Sequence, residues 1–478
     1  MLSVSINTFI KDYSKAISEG YAAVFAGAGL SQSSGYLNWK ELISPLAQRV
    51  GLDIQKEHDL ISIAQYFFNE EGNRNNINQL ILNSFNMATS ENANLDMLTR
   101  LPISTYWTTN YDELIEDGLR KNFRKPDIKV TQKNLATNLH DRDAVVYKMH
   151  GDVRNPDDAI LIKDDYETYA QKHPLFTTAL QGDLISKTFL FIGFSFEDPN
   201  LDYILSRIRV LLGEDVRNHY CFLEEIKNNG DEVEYAYNKT KQELRIKDLK
   251  RYGIQTVLLD DYSQITVILE NIEKNYKLNN IFVSGSISKY DNVWTKEKVN
   301  YFTYNLSKAL VSCDFKIISG VGSKIGDNII NGALDEIINN KYRHIDEHLC
   351  LRPFPQFASN VNDDLTKLWN NYRVNMITES GIVIFIFGNK NIDGKCVDAD
   401  GVIKEFGIAK IYNKYIIPVG STGYASEYIY SQVKKNIKSS YPYLEPYIEK
   451  LGIEQDSDNL ISLLIDIVTE LRKNIILI

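Results

Sequence analysis

Cysteine is scarce in this chain and never closely paired: Cys221, Cys313, Cys350 and Cys396 are its four, with no C-x-x-C among them. That spacing excludes a zinc ribbon built from cysteines and gives no disulfide framework, so a reducing cytoplasm is the expected compartment. Positive charge is in deficit as well, with 53 Lys and Arg against 63 Asp and Glu and a formal net charge of -10. A general polyanion binder needs clustered Lys and Arg, so nucleic acid is not an expected partner, while a local basic pocket for a small anion stays open. Long apolar runs are missing, and Met1 to Lys11 lacks a basic stretch followed by an apolar core and a cleavage site. Neither a membrane span nor a leader is expected. Proline is sparse, at 11 residues, and no low-complexity tract or repeat period interrupts the 478 residues. At roughly 150 residues per domain, that length allows two or three domains.

What is present is alternation. An amphipathic stretch from Ile6 to Ile17 leads into Ala22 to Ala26, which is short, apolar and bounded by glycines, as a buried parallel strand should be. From Trp39 to Leu101 apolar residues recur at helical spacing, which predicts a helical insertion over the sheet edge, placed to cover a ligand. Sheet-like runs return at Tyr106 to Thr109, Ala144 to Met149, Thr188 to Ile192, Tyr220 to Leu223 and Ile254 to Leu259. A helix from Tyr262 to Asn275 and a polar tail to Asn280 close this half. The pattern then restarts with strands at Ile281 to Ser286, Phe315 to Ser319, Ile382 to Phe387 and Tyr415 to Pro418, a helix through Ile329 to Ile337, and a last helix from Leu460 to Leu477. The expected fold class is α/β, with two open, doubly wound, Rossmann-like domains at 1–276 and 281–478, the first carrying the insertion at 39–101.

Open α/β sheets bind ligands beyond the carboxyl ends of their strands, so the residues that follow each expected strand are the candidates. Gly27-Ala28-Gly29-Leu30-Ser31 offers small residues where a backbone can approach a pyrophosphate, with Ser31 as a donor and helix cap. The same glycines serve a tight turn or close helix packing equally well. Asn110 and Asp112 bring a carboxamide and a carboxylate to a strand end, or else form an Asx turn and cap a helix from Glu113 to Leu119. His150 ends an apolar strand directly before Gly151, which suits a ring facing the crevice and a structural hydrogen bond about equally.

In this order, Gly-Ala-Gly-x-Ser, Asn-x-Asp after a strand and His150-Gly151 resemble the sirtuin family, and the stretch Phe191 to Leu201 is similar to a nucleotide loop of bacterial sirtuin-like proteins. The resemblance covers residues 1 to 275. It implies a pocket that holds NAD as substrate, with Ala28, Gly29 and Ser31 along the pyrophosphate and Gly193 and Ser195 near the adenosine. It further implies a catalytic pair: His150 as general base towards a ribose hydroxyl or the attacking water, and Asn110 orienting that water and the nicotinamide ribose, with Asp112 on the nicotinamide carboxamide. Protein-deacylating sirtuins carry a zinc module with two C-x-x-C pairs, which this chain lacks. No zinc or other cofactor is therefore expected, and the expectation tilts from deacylation towards simple hydrolysis of NAD to nicotinamide and ADP-ribose.

The second half resembles the SLOG group of nucleotide-binding domains through Ser284-Gly285-Ser286 and Ser319-Gly320-Val321-Gly322. Enzymes of that group use a Pro-Gly-Gly-x-Gly-Thr-x-x-Glu stretch; Gly388 to Glu405 keeps Gly401 and Glu405 but not the Pro-Gly-Gly run, which implies binding without catalysis. Arg352, Arg373 and Lys390, expected near element ends, and Glu405, expected to begin a helix, suit a ligand with two phosphates and ribose hydroxyls, though solvated loops are the ordinary fate of such charges. A sirtuin-like half joined to a SLOG half is similar to the effectors of the Thoeris antiphage defence system. That likeness implies a homotetramer activated by a cyclic ADP-ribose isomer, which a TIR-domain partner protein makes, and depletion of NAD as the outcome. The implied sensor pocket is Gly285, Ser286, Arg352, Arg373, Lys390, Gly401 and Glu405. A NAD-dependent protein deacylase, a nucleotide phosphoribohydrolase in the second half and a non-catalytic nucleotide-binding scaffold are the alternatives.

Overall fold

Five small or apolar side chains, Ala22–Ala26, are buried along their whole length and form β1, the middle strand of a seven-stranded sheet. The computed structural model describes residues 3–87, 89–196, 198–213, 215–340, 344–355 and 365–473. The other strands of this sheet are β2 (Thr105–Thr108), β3 (Pro126–Lys129), β4 (Ala144–Lys148), β5 (Thr188–Ile192), β6 (His219–Glu224) and β7 (Ile254–Leu259). Their spatial order is β3-β4-β2-β1-β5-β6-β7 and every pairing is parallel. The strand order reverses at β1, with β2 on one side and β5 on the other, which is where a doubly wound sheet opens a crevice. Trp107 of β2 is fully buried, stacked on Tyr147 at 4.2 Å, and its indole N–H donates to Asp183 at 2.8 Å.

Between β1 and β2 the insertion is helical, as its periodicity predicts: Trp39–Arg49, Leu60–Glu71, Asn75–Phe85 and Ala93–Arg100. Three of these helices begin on side-chain caps, Asn38 with a reciprocal contact from Glu41, Asp59 and Asn92, so local chemistry sets where they start. Their apolar faces, including Leu42, Leu46, Ile63, Phe67, Ile77 and Ile81, pack into a core of their own with Tyr111 and Leu161.

The second parallel sheet has the order β10-β9-β8-β11-β14, from β8 (Asn280–Ser286), β9 (Lys316–Ser319), β10 (Leu349–Leu351), β11 (Ile382–Phe387) and β14 (Tyr415–Pro418). The antiparallel hairpin β12 (Asn389–Ile392) and β13 (Lys395–Asp398) follows β11. The chain divides into two compact units, Met1–Glu273 and Lys274–Leu477, with the division inside the helix Gln264–Lys277. The architecture is thus α/β with two Rossmann-like sheets, as expected.

Several local expectations need correction. Glu405 lies inside the helix Asp400–Ile411 instead of beginning it, and Arg373 sits in the middle of Leu365–Glu379 instead of near an element end. Ser31 caps no helix, because Gly27 occupies the cap position of the short helix Ala28–Gln32. The last described helix is Ser457–Lys473; the expected continuation to Leu477 falls outside the described residues. Strands β3 and β10 and the hairpin were not expected from periodicity.

Candidate active site

Register aligns the ends of four adjacent strands. Lys148 pairs with Thr108, Thr108 with Ala26, and Ala26 with Ile192, so the last residues of β4, β2, β1 and β5 form one row. Two residues beyond that row stand His150, Asn110, Ala28 and Phe194. The four loops surround a cavity of about 490 Å³ whose lining includes Ala28, Gly29, Ser31, Asn110, Asp112, His150, Gly193 and Ser195. Every residue expected to face NAD therefore lines one cavity, and its size falls within the roughly 300–1,000 Å³ of small-molecule sites.

A polar chain fixes the Asn110 carboxamide. Its Nδ2 donates to the Gly27 carbonyl at 3.0 Å and to Ser31 Oγ at 2.9 Å, and Ser31 Oγ donates onward to Asp112 Oδ2 at 2.8 Å. The other Asp112 oxygen accepts the Leu114 amide at 3.0 Å in an Asx-type turn, while Glu113 holds the cap position of the helix Leu114–Lys121; Asp112 anchors this chain but is not the helix cap. Because a carbonyl can only accept, the amide hydrogens of Asn110 must point at Gly27 and Ser31, which leaves the Asn110 side-chain oxygen for the cavity. Burial pushes the Asp112 carboxyl above its ordinary pKa, against the Ser31 hydroxyl and the Leu114 amide.

Beneath the loop, Lys148 is completely buried and donates to the carbonyls of Tyr111 at 3.1 Å and Asp112 at 2.6 Å. Asp152 at 2.6 Å and Glu116 at 3.3 Å complete its surroundings. Burial alone would lower the Lys148 pKa, but Glu116 and Asp152 outweigh it and hold the ammonium charged. Lys148 thus ties β4 to the Asn110 loop. The tie was not expected from sequence, although Lys148 and Asp152 stand two residues to either side of His150.

His150 is 2% exposed, edge-on to Tyr166 with ring centres 5.4 Å apart, and its Nε2 lies 3.0 Å from Asp198 Oδ2. That oxygen sits off the N–H direction, so Nε2 has no aligned hydrogen bond. Burial works to raise the Asp198 carboxyl, but the His150 ring and the amides of Leu201 and Asn200 hold it below the usual carboxylate range.

The glycines have a packing role that sequence left open. A Cβ on Gly27 would stand 2.4 Å from the Gly193 carbonyl oxygen, and one on Gly193, whose φ is +64°, would stand 2.1 Å from the Leu30 nitrogen. Gly29 N–H donates to Gly193 O at 2.9 Å. The two turns are pressed together, and the Gly29 amide is already used. The insertion supplies the opposite wall through Trp39, Lys40, Leu42, His58, Leu60 and Phe85. Among the described lining residues Lys40 is the one lysine or arginine, and it has no ion-pair partner.

In the second unit, Gly285, Ser286, Gly401 and Glu405 line a smaller cavity of about 130 Å³ with Ser284, Gly320, Gly322 and Phe354. Glu405 is buried, accepts the Ser284 hydroxyl at 2.5 Å and lies 3.3 Å from Arg373 Nε, while the Arg373 guanidinium stacks on Phe354 at 5.0 Å. Burial raises the Glu405 carboxyl against both partners. Arg373, Arg352 and Lys390, all expected in this pocket, do not line the cavity; Arg373 reaches it through Glu405 and Phe354, and Arg352 and Lys390 pair with Glu379 and Asp400.

Residues 104–256 match the model of the SIR2-like domain, and residues 264–471 that of the Sir2- and TIR-associating SLOG family. The chain is 47% identical over 458 residues to the NAD(+) hydrolase ThsA of Bacillus cereus (strain MSX-D12), covering 95% of each chain. It is 46% identical over 477 residues to the NAD(+) hydrolase ThsA of Cytobacillus dafuensis, covering 97% of this chain and 96% of that one. Identity to the NAD(+) hydrolase ThsA of Enterococcus faecium is 40% over 483 residues, 97% of this chain and 99% of that one.

Proposed function

Because this chain belongs to the family of ThsA NAD(+) hydrolases, we propose that its first unit cleaves NAD to nicotinamide and ADP-ribose at the cavity beyond β4, β2, β1 and β5. The observation that carries this reading is the meeting of Asn110 and His150 on one cavity of dinucleotide size. Breaking the nicotinamide–ribose bond develops positive charge on the ribose and needs a positioned water and a base. The free oxygen of Asn110 orients that water and the ribose, and His150 takes the proton. Asp112 faces the nicotinamide carboxamide and holds Asn110 through Ser31.

Ala28, Gly29 and Ser31 bring the backbone close to the pyrophosphate, and Gly193 and Ser195 border the adenosine. With the Gly29 amide and the Ser31 hydroxyl engaged internally, Lys40 of the insertion supplies the positive charge. No zinc or other cofactor takes part in this scheme; NAD is the substrate.

The second unit senses a cyclic ADP-ribose isomer through Gly285, Ser286, Arg373, Gly401 and Glu405, with Arg352 and Lys390 released from Glu379 and Asp400 to reach its phosphates. A TIR-domain protein makes that signal, a role in keeping with the TIR association in the family's description. Activation of a homotetramer in the cytoplasm, with NAD depletion in antiphage defence, completes the reading. Among the described residues no helix is long and apolar enough to cross a membrane.

One assay tests these statements together. Protein is incubated with NAD, with and without cyclic ADP-ribose isomers, and nicotinamide and ADP-ribose are followed. Nicotinamide release in step with ADP-ribose, raised by an isomer, is the expected result. Release only when an acylated peptide is present would mark a deacylase instead, and free base from AMP-type nucleotides would mark a phosphoribohydrolase.

A further inference from the structure

Asp198 is held by its own backbone surroundings and aimed at His150. It precedes the helix Pro199–Leu212, and its Oδ1 accepts the amides of Asn200 at 2.8 Å and Leu201 at 3.1 Å. The second oxygen is left 3.0 Å from His150 Nε2. Both side chains are more than nine-tenths buried, at 3% and 8% exposure, and both border the large cavity. Nε2 is itself sealed from solvent and has no other partner. Hydrogen bonds of this type are often out of line before substrate binds.

We propose that Asp198 is the positioning residue for the His150 base: its carboxylate keeps the proton on Nε2, so that the Nδ1 lone pair faces the bond to be cut. This rests on the reading of the first unit as an NAD hydrolase. In the step so arranged, water oxygen bonds to C1′ of the nicotinamide ribose as the C1′–N bond breaks. The electron pair of that bond stays on nicotinamide, which leaves neutral, and the water's proton passes to Nδ1. The resulting imidazolium faces the Asp198 carboxylate, which compensates its charge.

The other groups around the ring do not duplicate this role. From the helix Lys163–Lys172 come Tyr166 and Tyr169, whose hydroxyls burial keeps protonated, and beyond it His173, which burial disfavours as a cation. From the loop after β2 comes Asp112, already bonded to Ser31 and Leu114, together with Tyr111, whose hydroxyl donates to the Ile160 carbonyl. Asp152, next along the chain, pairs with Lys148.

The test is D198N, chosen because asparagine caps a helix as well as aspartate does; with its one oxygen on the Asn200 and Leu201 amides, its NH2 group faces Nε2 and can no longer hold a proton there. Expected are a kcat lower by about 10-fold or more and a KM for NAD within about threefold of wild type. H150A/D198N should be no slower than H150A. Wild-type kcat in D198N overturns the proposal. A second measurement does not depend on turnover: the Tm shifts of H150A, D198N and the double variant should be non-additive, and additive shifts overturn the pairing by themselves. A wild-type protein that releases no nicotinamide sinks the hydrolase reading, and with it the base.

Discussion

At the scale of single residues, the site depends on how few hydrogen-bond options each buried group retains. Asn110 has both amide hydrogens committed, and its remaining oxygen is therefore oriented before any ligand arrives. His150 is held between an aromatic edge and a carboxylate. If the ring is the base, H150A should lower kcat by roughly 10²- to 10⁴-fold while the protein stays folded, read as nicotinamide release beside a circular-dichroism melt. A folded H150A protein with wild-type kcat would remove His150 from the chemistry. Asn110, Asp112 and His150 were legible as candidates because each follows an apolar strand. Their partners were not: nothing in the spacing links Ser31 to Asp112, 81 positions on, or His150 to Asp198.

At the scale of elements, two packing features shape the cavity. The Gly27–Gly29 turn touches the Gly193 turn closely enough that no Cβ fits between them. G193A combines that overlap with a left-handed backbone, so it should destabilise the first unit by at least about 1–3 kcal/mol and abolish NAD turnover, read by chemical denaturation and nicotinamide release. A stable, active G193A protein would show that the turns can separate at little cost. The helical insertion carries Lys40 to the opposite wall. K40M should raise the KM for NAD roughly 10-fold with kcat little changed, the size expected for losing one charge-assisted contact. Cleavage of nicotinamide riboside, which has no pyrophosphate, should be unaffected; an equal loss on both substrates would mean that Lys40 acts elsewhere.

The insertion's helices were legible because their apolar residues recur at i, i+3 and i+4 and their caps are explicit. β3 escaped notice because Pro126–Lys129 contains a single aliphatic residue, and its Asp127 and Lys129 are buried as a pair, Asp127 also meeting Arg142 and the Leu139 amide and Lys129 the Thr137 carbonyl. The β12–β13 hairpin did leave a mark in Asp393-Gly394, both at positive φ, the turn chemistry of a two-residue hairpin.

At the scale of the whole molecule, a cyclic ADP-ribose isomer can raise turnover only if it binds the active arrangement more tightly than the resting one. If the second unit is the sensor as proposed, R373A should lose any rise in nicotinamide release caused by the isomer, since Arg373 is the cation in contact with Glu405 beside the smaller cavity. An undiminished response in R373A would move the sensor elsewhere. That cavity, at about 130 Å³, is below the roughly 300 Å³ of ordinary ligand sites, so the proposed binding there would require it to enlarge. Isothermal titration of wild type and R373A with the isomer checks whether the lost response is lost binding.

Periodicity and composition by themselves determined two α/β halves, the helical insertion and which residues follow the strand ends. These are local properties: a strand or helix buries one face, and its residues repeat with the period of that face. Tertiary structure alone decided that four strand ends share one row, that the glycines serve the contact between two turns, and that Asp198 stands behind His150. Such pairings join residues tens to scores of positions apart, and they arise from sheet register and loop packing, for which neighbours along the chain carry no period.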